Sequence, residues 1–129
     1  MPSTVATTTD SGSTRLPSQR KCFYHNGRYW GFYYDGSNIV YKTSTDGSSW
    51  SSATTIGSAE NGEAFSIYFD GTYLHYVRAA TSLYYRRGAP NSDGTITWGA
   101  AEQTAYSAGE DSCYKPTLAV DSNGYAWIC

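Results

Sequence analysis

The sequence predicts an all-β fold, and three observations carry that reading. The composition suits short strands and turns, with 13 Tyr, 4 Trp and 13 Gly against a single Met among 129 residues. Two-residue turn signals recur between short β-branched and aromatic runs, at Asn26-Gly27, Asp35-Gly36, Asp46-Gly47, Asp70-Gly71 and Asp93-Gly94. One of these turns is duplicated with its surroundings. Ser44-Thr45-Asp46-Gly47-Ser48-Ser49-Trp50 is followed by Asn91-Ser92-Asp93-Gly94-Thr95-Ile96-Thr97-Trp98, so that Asp93 lies 47 residues after Asp46. In each copy the Asp, and in the first copy Ser44 as well, can bond its own backbone. Gly47 or Gly94 supplies a positive φ, and Trp50 or Trp98 can fold back as an apolar plug.

The elements follow in order. Residues 1–14 are Ser/Thr-rich and almost free of large apolar side chains, which predicts a loosely attached arm. Within it, the match of residues 8–14 to a further Asp turn is assigned to composition, because Arg15 stands where the Trp belongs. A unit of four strands is then expected at residues 21–25, 29–34, 38–43 and 50–56. A second unit repeats the order at 64–69, 73–78, 82–87 and 98–104, and a third opens at 116–120 and 125–129. Four strands in a period of about 45–50 residues fits a radially repeated four-stranded blade. The expected organisation is an arm at 1–14, blades at 15–60 and 61–112, and the first two strands of a further blade at 113–129. Two and a half blades cannot close a ring, so the sheet edges must be completed by other copies or by the rest of a longer protein.

The duplicated turn resembles the Asp-box repeat of the bacterial neuraminidase family, whose pattern is Ser/Thr-x-Asp-x-Gly-x-Thr-Trp. The residues of the pattern are Ser44, Asp46, Gly47 and Trp50 in the first copy, and Asp93, Gly94 and Trp98 in the second. The first copy is one residue short between Asp and Trp, and the second carries Thr95 where Gly is usual. The resemblance implies an Asp-box β-propeller, with the box between the third and fourth strands of a blade, and an extracellular or cell-surface setting. It does not choose among sialidases, other glycosidases, lectins and non-catalytic surface proteins, which share the box. Arg15-Leu16-Pro17-Ser18 resembles the Arg-Ile-Pro motif that opens the first blade of sialidases, where the Arg binds the substrate carboxylate. The resemblance also implies a further Arg and an acidic residue after the second strand, where Tyr33-Tyr34-Asp35-Gly36 offers Asp35 as the acid and no Arg; Tyr34 beside it is a ligand-binding candidate. Tyr114-Lys115-Pro116 has the same basic-x-Pro character at the start of the third unit, so the motif also reads as a blade-start feature with Pro at a strand's first position; Lys115 is a further ligand candidate.

Glu63 and Glu110 precede the first strands of the second and third units, where loops would face a central channel. A glycosidase needs two carboxylates at a defined separation. The many tyrosines divide between core packing and surface positions where a ring could stack on a sugar. Arg86 and Arg87 are adjacent on a strand and must face opposite sides. His25 and His75 fall at no metal-ligand spacing and read as strand residues with satisfied rings. Cys22, Cys113 and Cys129, an odd count, read as buried strand thiols, with a disulfide, within the chain or to another, as the alternative. No metal or cofactor is expected.

A net charge of −2 with both signs dispersed gives no footprint for nucleic acid, and no apolar run approaches the ~20 residues that span a bilayer. The start of the chain lacks the pattern of a signal peptide. The function expected is a non-catalytic extracellular recognition or scaffold module, binding a glycan. A fragment of a sialidase-like glycoside hydrolase and a self-assembling structural protein are the alternatives.

Overall fold

A computed structural model describes residues 3–10, 12–107 and 115–129. All of its regular structure is β, in antiparallel sheets of four, five and two strands, none of them closed. Among the described residues no helix is long and apolar enough to cross a membrane.

The first sheet is a meander of β1 (Cys22–His25), β2 (Arg28–Tyr34), β3 (Asn38–Ser44) and β4 (Thr54–Ser58). Asn26 and Gly27 both take positive φ, 52° and 72°, which is the geometry a two-residue hairpin between right-twisted strands requires. The second sheet runs β5 (Phe65–Phe69), β6 (Leu74–Ala79), β7 (Ser82–Pro90) and β8 (Ile96–Trp98), with β9 (Gln103–Ser107) pairing β7 beside β8. Strands β10 (Leu118–Val120) and β11 (Ala126–Ile128) form the third.

Strand order matches the sequence expectation, and the fourth strand of each unit is where the boundaries differ. In the first unit the chain leaves the Asp46 turn, Ser51 N–H bonds Thr43 O at 2.9 Å, and regular pairing resumes only at Thr54. In the second the expected single strand 98–104 is two: β8 pairs residues 88–90 and β9 pairs residues 82–85. Glu102 lies in the gap and takes the Arg78 guanidinium in a two-pronged ion pair, at 2.8 and 2.5 Å. That tertiary contact draws the chain out of the ladder at this point.

The first two sheets pack face to face through aromatic side chains. Trp30, Phe32, Tyr34, Ile39 and Tyr41 from one meet Phe65, Ile67, Leu74 and Tyr76 from the other. Phe23 stacks on Trp30, Phe32 and Phe69, with ring centroids 5.6, 5.9 and 4.6 Å away. Alternation along β5 and β6 puts Ser66, His75 and Val77 on the opposite face, also buried, where β10 lies against both strands and contributes Leu118. The first and second sheets therefore each use the front to cover the back of the next.

The Tyr76 hydroxyl is buried in the first of these interfaces with no hydrogen-bond partner, and burial raises its pKa far above the usual phenol range. Leaving such a group unpaired costs about 1–3 kcal/mol. Tyr76→Phe is expected to leave the protein as stable or up to about 1 kcal/mol more stable, read from its urea midpoint. A loss of stability would mean that the hydroxyl finds a partner.

The arm expected to be loose is attached. Ser3 Oγ donates to Gly47 O at 2.6 Å, Lys42 Nζ to Val5 O at 3.2 Å, and the buried Ser13 Oγ to Tyr34 O at 2.8 Å. Thr8, Asp10 and Gly12 make the local bonds of an Asp turn that composition alone made doubtful. Asp10 N–H donates to Thr8 Oγ1 and Gly12 N–H to Asp10 Oδ1, at 3.1 and 2.6 Å. Cys22 and Cys129 are exposed free thiols, contrary to the buried expectation, and Cys113 lies outside the described residues.

Candidate functional site

The starts of the three units converge. Gln19, just before β1, is 3% exposed and donates its Nε2 to Glu63 O at 2.6 Å and to Pro116 O at 2.9 Å. One buried amide thus ties together the segments that lead into β1, β5 and β10. Among the described residues its Oε1 has no partner. Directly above this junction, Glu63 is held between two cations. Arg15 NH1 approaches one carboxylate oxygen at 3.2 Å and Lys115 Nζ the other at 2.9 Å.

The exposures within this cluster decide what it can do. The Glu63 side chain is 12% exposed, while Arg15 and Lys115 are 68% and 59% exposed. The carboxylate is shielded and the cations face solvent with donors to spare, since a guanidinium has five N–H groups and an ammonium three. Lys115, and then Arg15 at longer range, hold the Glu63 carboxyl below its usual range despite desolvation. It is a fixed anion at neutral pH. The cluster carries one net positive charge and presents hydrogen-bond donors, which suits a carboxylate-bearing ligand. Lys115 also has φ of 54°, a left-handed conformation rarely held by a side-chain-bearing residue without compensation from its surroundings.

The other sequence candidates lie elsewhere. Asp35 closes its own turn, accepting from Ser37 N–H and Asn38 N–H at 2.9 and 2.8 Å. Asp70 and Asp121 do the same in the hairpins of the second and third units. Tyr34 is buried, and its hydroxyl donates to Glu60 O at 3.3 Å. Glu110 lies outside the described residues. His75 is buried and satisfied, with Nε2 at 2.8 Å from Asp70 Oδ2 and Nδ1 at 2.7 Å from the Tyr85 hydroxyl. His25 packs on Phe69. Arg86 lies over Trp98 and Arg87 over Tyr73, on opposite faces as strand alternation requires. Among the described residues no group of His, Cys, Asp or Glu could hold a metal ion.

The duplicated turns have structural partners. Asp46 Oδ1 accepts from Ser48 N–H, Ser49 N–H and the Ser44 hydroxyl, and these bonds lower its pKa to about 2. Asp93 Oδ1 accepts from the amide and hydroxyl of Thr95. The second turn is also an inter-sheet contact, because Arg28 donates to Ser92 O at 2.6 Å and Asn26 to Pro90 O at 3.1 Å. Gly94 has φ of 91°, and a β-carbon there would come within 2.8 Å of Thr43 Oγ1. Trp50 folds back onto the first sheet beside Gly31, its indole N–H donating to Ser3 Oγ.

Lys21, missed by sequence reasoning, sits near the junction. Its Nζ donates to Gly62 O at 3.0 Å and Phe65 O at 2.5 Å and lies 3.2 Å from the centre of the Phe65 ring. Burial pushes its pKa down to about 7, although the carbonyls and ring replace part of the lost hydration. The unfolded chain, with an ordinary lysine near 10.4, binds more protons between pH 7 and about 10 than the folded one. Stability should therefore rise with pH across that window. Urea midpoints at pH 7 and 9.5 test this, and the rise should vanish in Lys21→Met.

Described residues also line two cavities, only the first of them on the side of the N-terminal segment. One of about 590 Å³ has mainly apolar walls between the N-terminal segment (Val5, Leu16, Pro17) and the outer face of the first sheet (Cys22, Gly31, Tyr33). The other, of about 330 Å³, lies between the hairpins of the second and third sheets and is lined by Asp70, Tyr73, Arg87 and Asp121. Comparison with known protein families, curated proteins and solved structures finds no match.

Proposed function

We propose that this chain is a non-catalytic extracellular recognition module of the Asp-box propeller type, which binds an acidic glycan at the cluster of Arg15, Glu63 and Lys115. The observation that carries the reading is the convergence of these three residues from the starts of three successive units. In a propeller the segments leading into the innermost strands surround the central axis, and the repeated meanders with their Asp turns support that architecture. A sugar carboxylate would sit across the two exposed cations, and neutral hydroxyls could reach the remaining donors.

Support for a non-catalytic role comes from the carboxylates. Glu63, held ionised between two cations, is poorly suited to donate a proton to a leaving group, which requires a raised pKa. Asp35 uses one carboxylate oxygen to close its own turn. Incubation with a fluorogenic sialoside, together with a glycan array, tests the proposal. Binding to sialylated glycans without turnover, lost in Arg15→Ala, is the expected result. Turnover that depends on Arg15 would favour the glycoside hydrolase reading instead. Binding of neutral glycans alone would remove the cluster from the account.

A further inference from the structure

Among the described residues, the regular stacking of the sheets leaves two faces without a sheet partner. The front of the first sheet covers the back of the second, and β10 lies against the front of the second. The back of the first sheet, with Cys22, Gly31 and Tyr33, is met by the N-terminal segment and by Trp50 beside Gly31, and no sheet among the described residues covers it, which leaves the cavity of about 590 Å³ with mainly apolar walls. At the other end, alternation along β10 and β11 turns Leu118 and Ile128 toward the second sheet and Ala119, Tyr125 and Trp127 outward. Tyr125 and Trp127 are 67% and 62% exposed on one face, and Trp127 is oriented there by a 3.1 Å hydrogen bond from its indole N–H to Asp121 Oδ2. Two large aromatics displayed together mark an interaction surface.

We infer that the chain associates head to tail with a second copy, the outward face of β10–β11 in one molecule packing onto the back of the first sheet in the next. This rests on the reading of the sheets as stacked blades within the proposed function. A second copy is the occupant because it continues the packing already present between sheets. Wherever a sheet back is covered by a sheet, the cover is the front of another, and among the described residues the bare front is that of β10–β11. Trp127 is the anchor, and the cavity beside Cys22 and Tyr33 is its receptor. The two surfaces differ, so the contact is heterologous: it closes into a ring if the rotation between copies divides a full turn and otherwise propagates as a filament.

The test uses the full chain under reducing conditions, with mass measured by sedimentation over a range of concentrations. The wild type should associate. Trp127→Glu and Cys22→Glu, both at exposed positions and checked for an unchanged circular dichroism spectrum, should each weaken association by roughly tenfold or more. Mixed together, the two variants should form a complex that stops at two chains, because each retains one intact surface. A wild type that stays monomeric would overturn the inference and leave the bare faces to the rest of a longer protein. So would association untouched by Trp127→Glu, or a mixture that does not pair. Glycan binding through Arg15 is measured separately on Trp127→Glu, so loss of one does not decide the other.

Discussion

Trp30→Ala should destabilise the protein by about 3–5 kcal/mol, the cost of removing a large aromatic from a packed core. Trp30 is fully buried at the centre of the interface between the first two sheets. Its ring stacks on Phe23 and tilts against Tyr41, with centroids 5.6 Å away in both cases. An alanine would open a cavity bounded by strands whose spacing is fixed by hydrogen bonds on both sides, so little of the space could close. A domain of this size has about 5–15 kcal/mol in all, and the variant should be at or near the limit of folding at 37 °C. The urea midpoint checks this. A loss below 1 kcal/mol would mean that the two sheets do not share a single core.

The second large effect is expected from Gly62→Ala. Gly62 precedes Glu63 and lies against the backbone of Gly12 and Ser13 so closely that a β-carbon would overlap Gly12 O and Ser13 Cα. Neither neighbour is a flexible side-chain tip, so the N-terminal segment must shift. That shift breaks the buried bond from Ser13 to Tyr34 O and withdraws Arg15 from Glu63. Overpacking costs typically about 1–3 kcal/mol, and here it also dismantles part of the cluster. The variant should melt earlier, expose residues 3–14 to limited proteolysis and bind acidic glycans less well. Native resistance to proteolysis in Gly62→Ala would show that the segment is not held where the structure has it.

The all-β class and the strand order were legible because turn residues and aromatic runs act locally. Asn26-Gly27 dictates a hairpin whatever surrounds it, and the observed positive φ values follow from those two residues. The gap in the fourth strand of the second unit was not legible, because it is set by Arg78 and Glu102, 24 residues apart, meeting across the sheet. The cluster was half legible. Arg15, Glu63 and Lys115 each stood out from their neighbours, yet that they touch depends on how the units stack. Gln19, which joins all three segments, gave no signal, since a lone Gln between Ser18 and Arg20 matches no pattern. Asp35 was misleading for a reason the sequence did contain. Its Asp-Gly pair is the same turn device as Asp70-Gly71, and that local role uses the carboxylate.

Arg15 and Lys115, held by Glu63, are proposed to form a carboxylate-recognising surface. The most direct measurement is a calorimetric titration comparing a sialic acid glycoside with its methyl ester, in low and in high salt. The acid should bind, more weakly as salt screens the cations, and the ester should bind far less. The double variant Arg15→Ala, Lys115→Gly should bind neither; the glycine keeps the left-handed backbone at residue 115, so the fold is spared. Equal binding of acid and ester, or undiminished binding by a folded double variant, would contradict the claim.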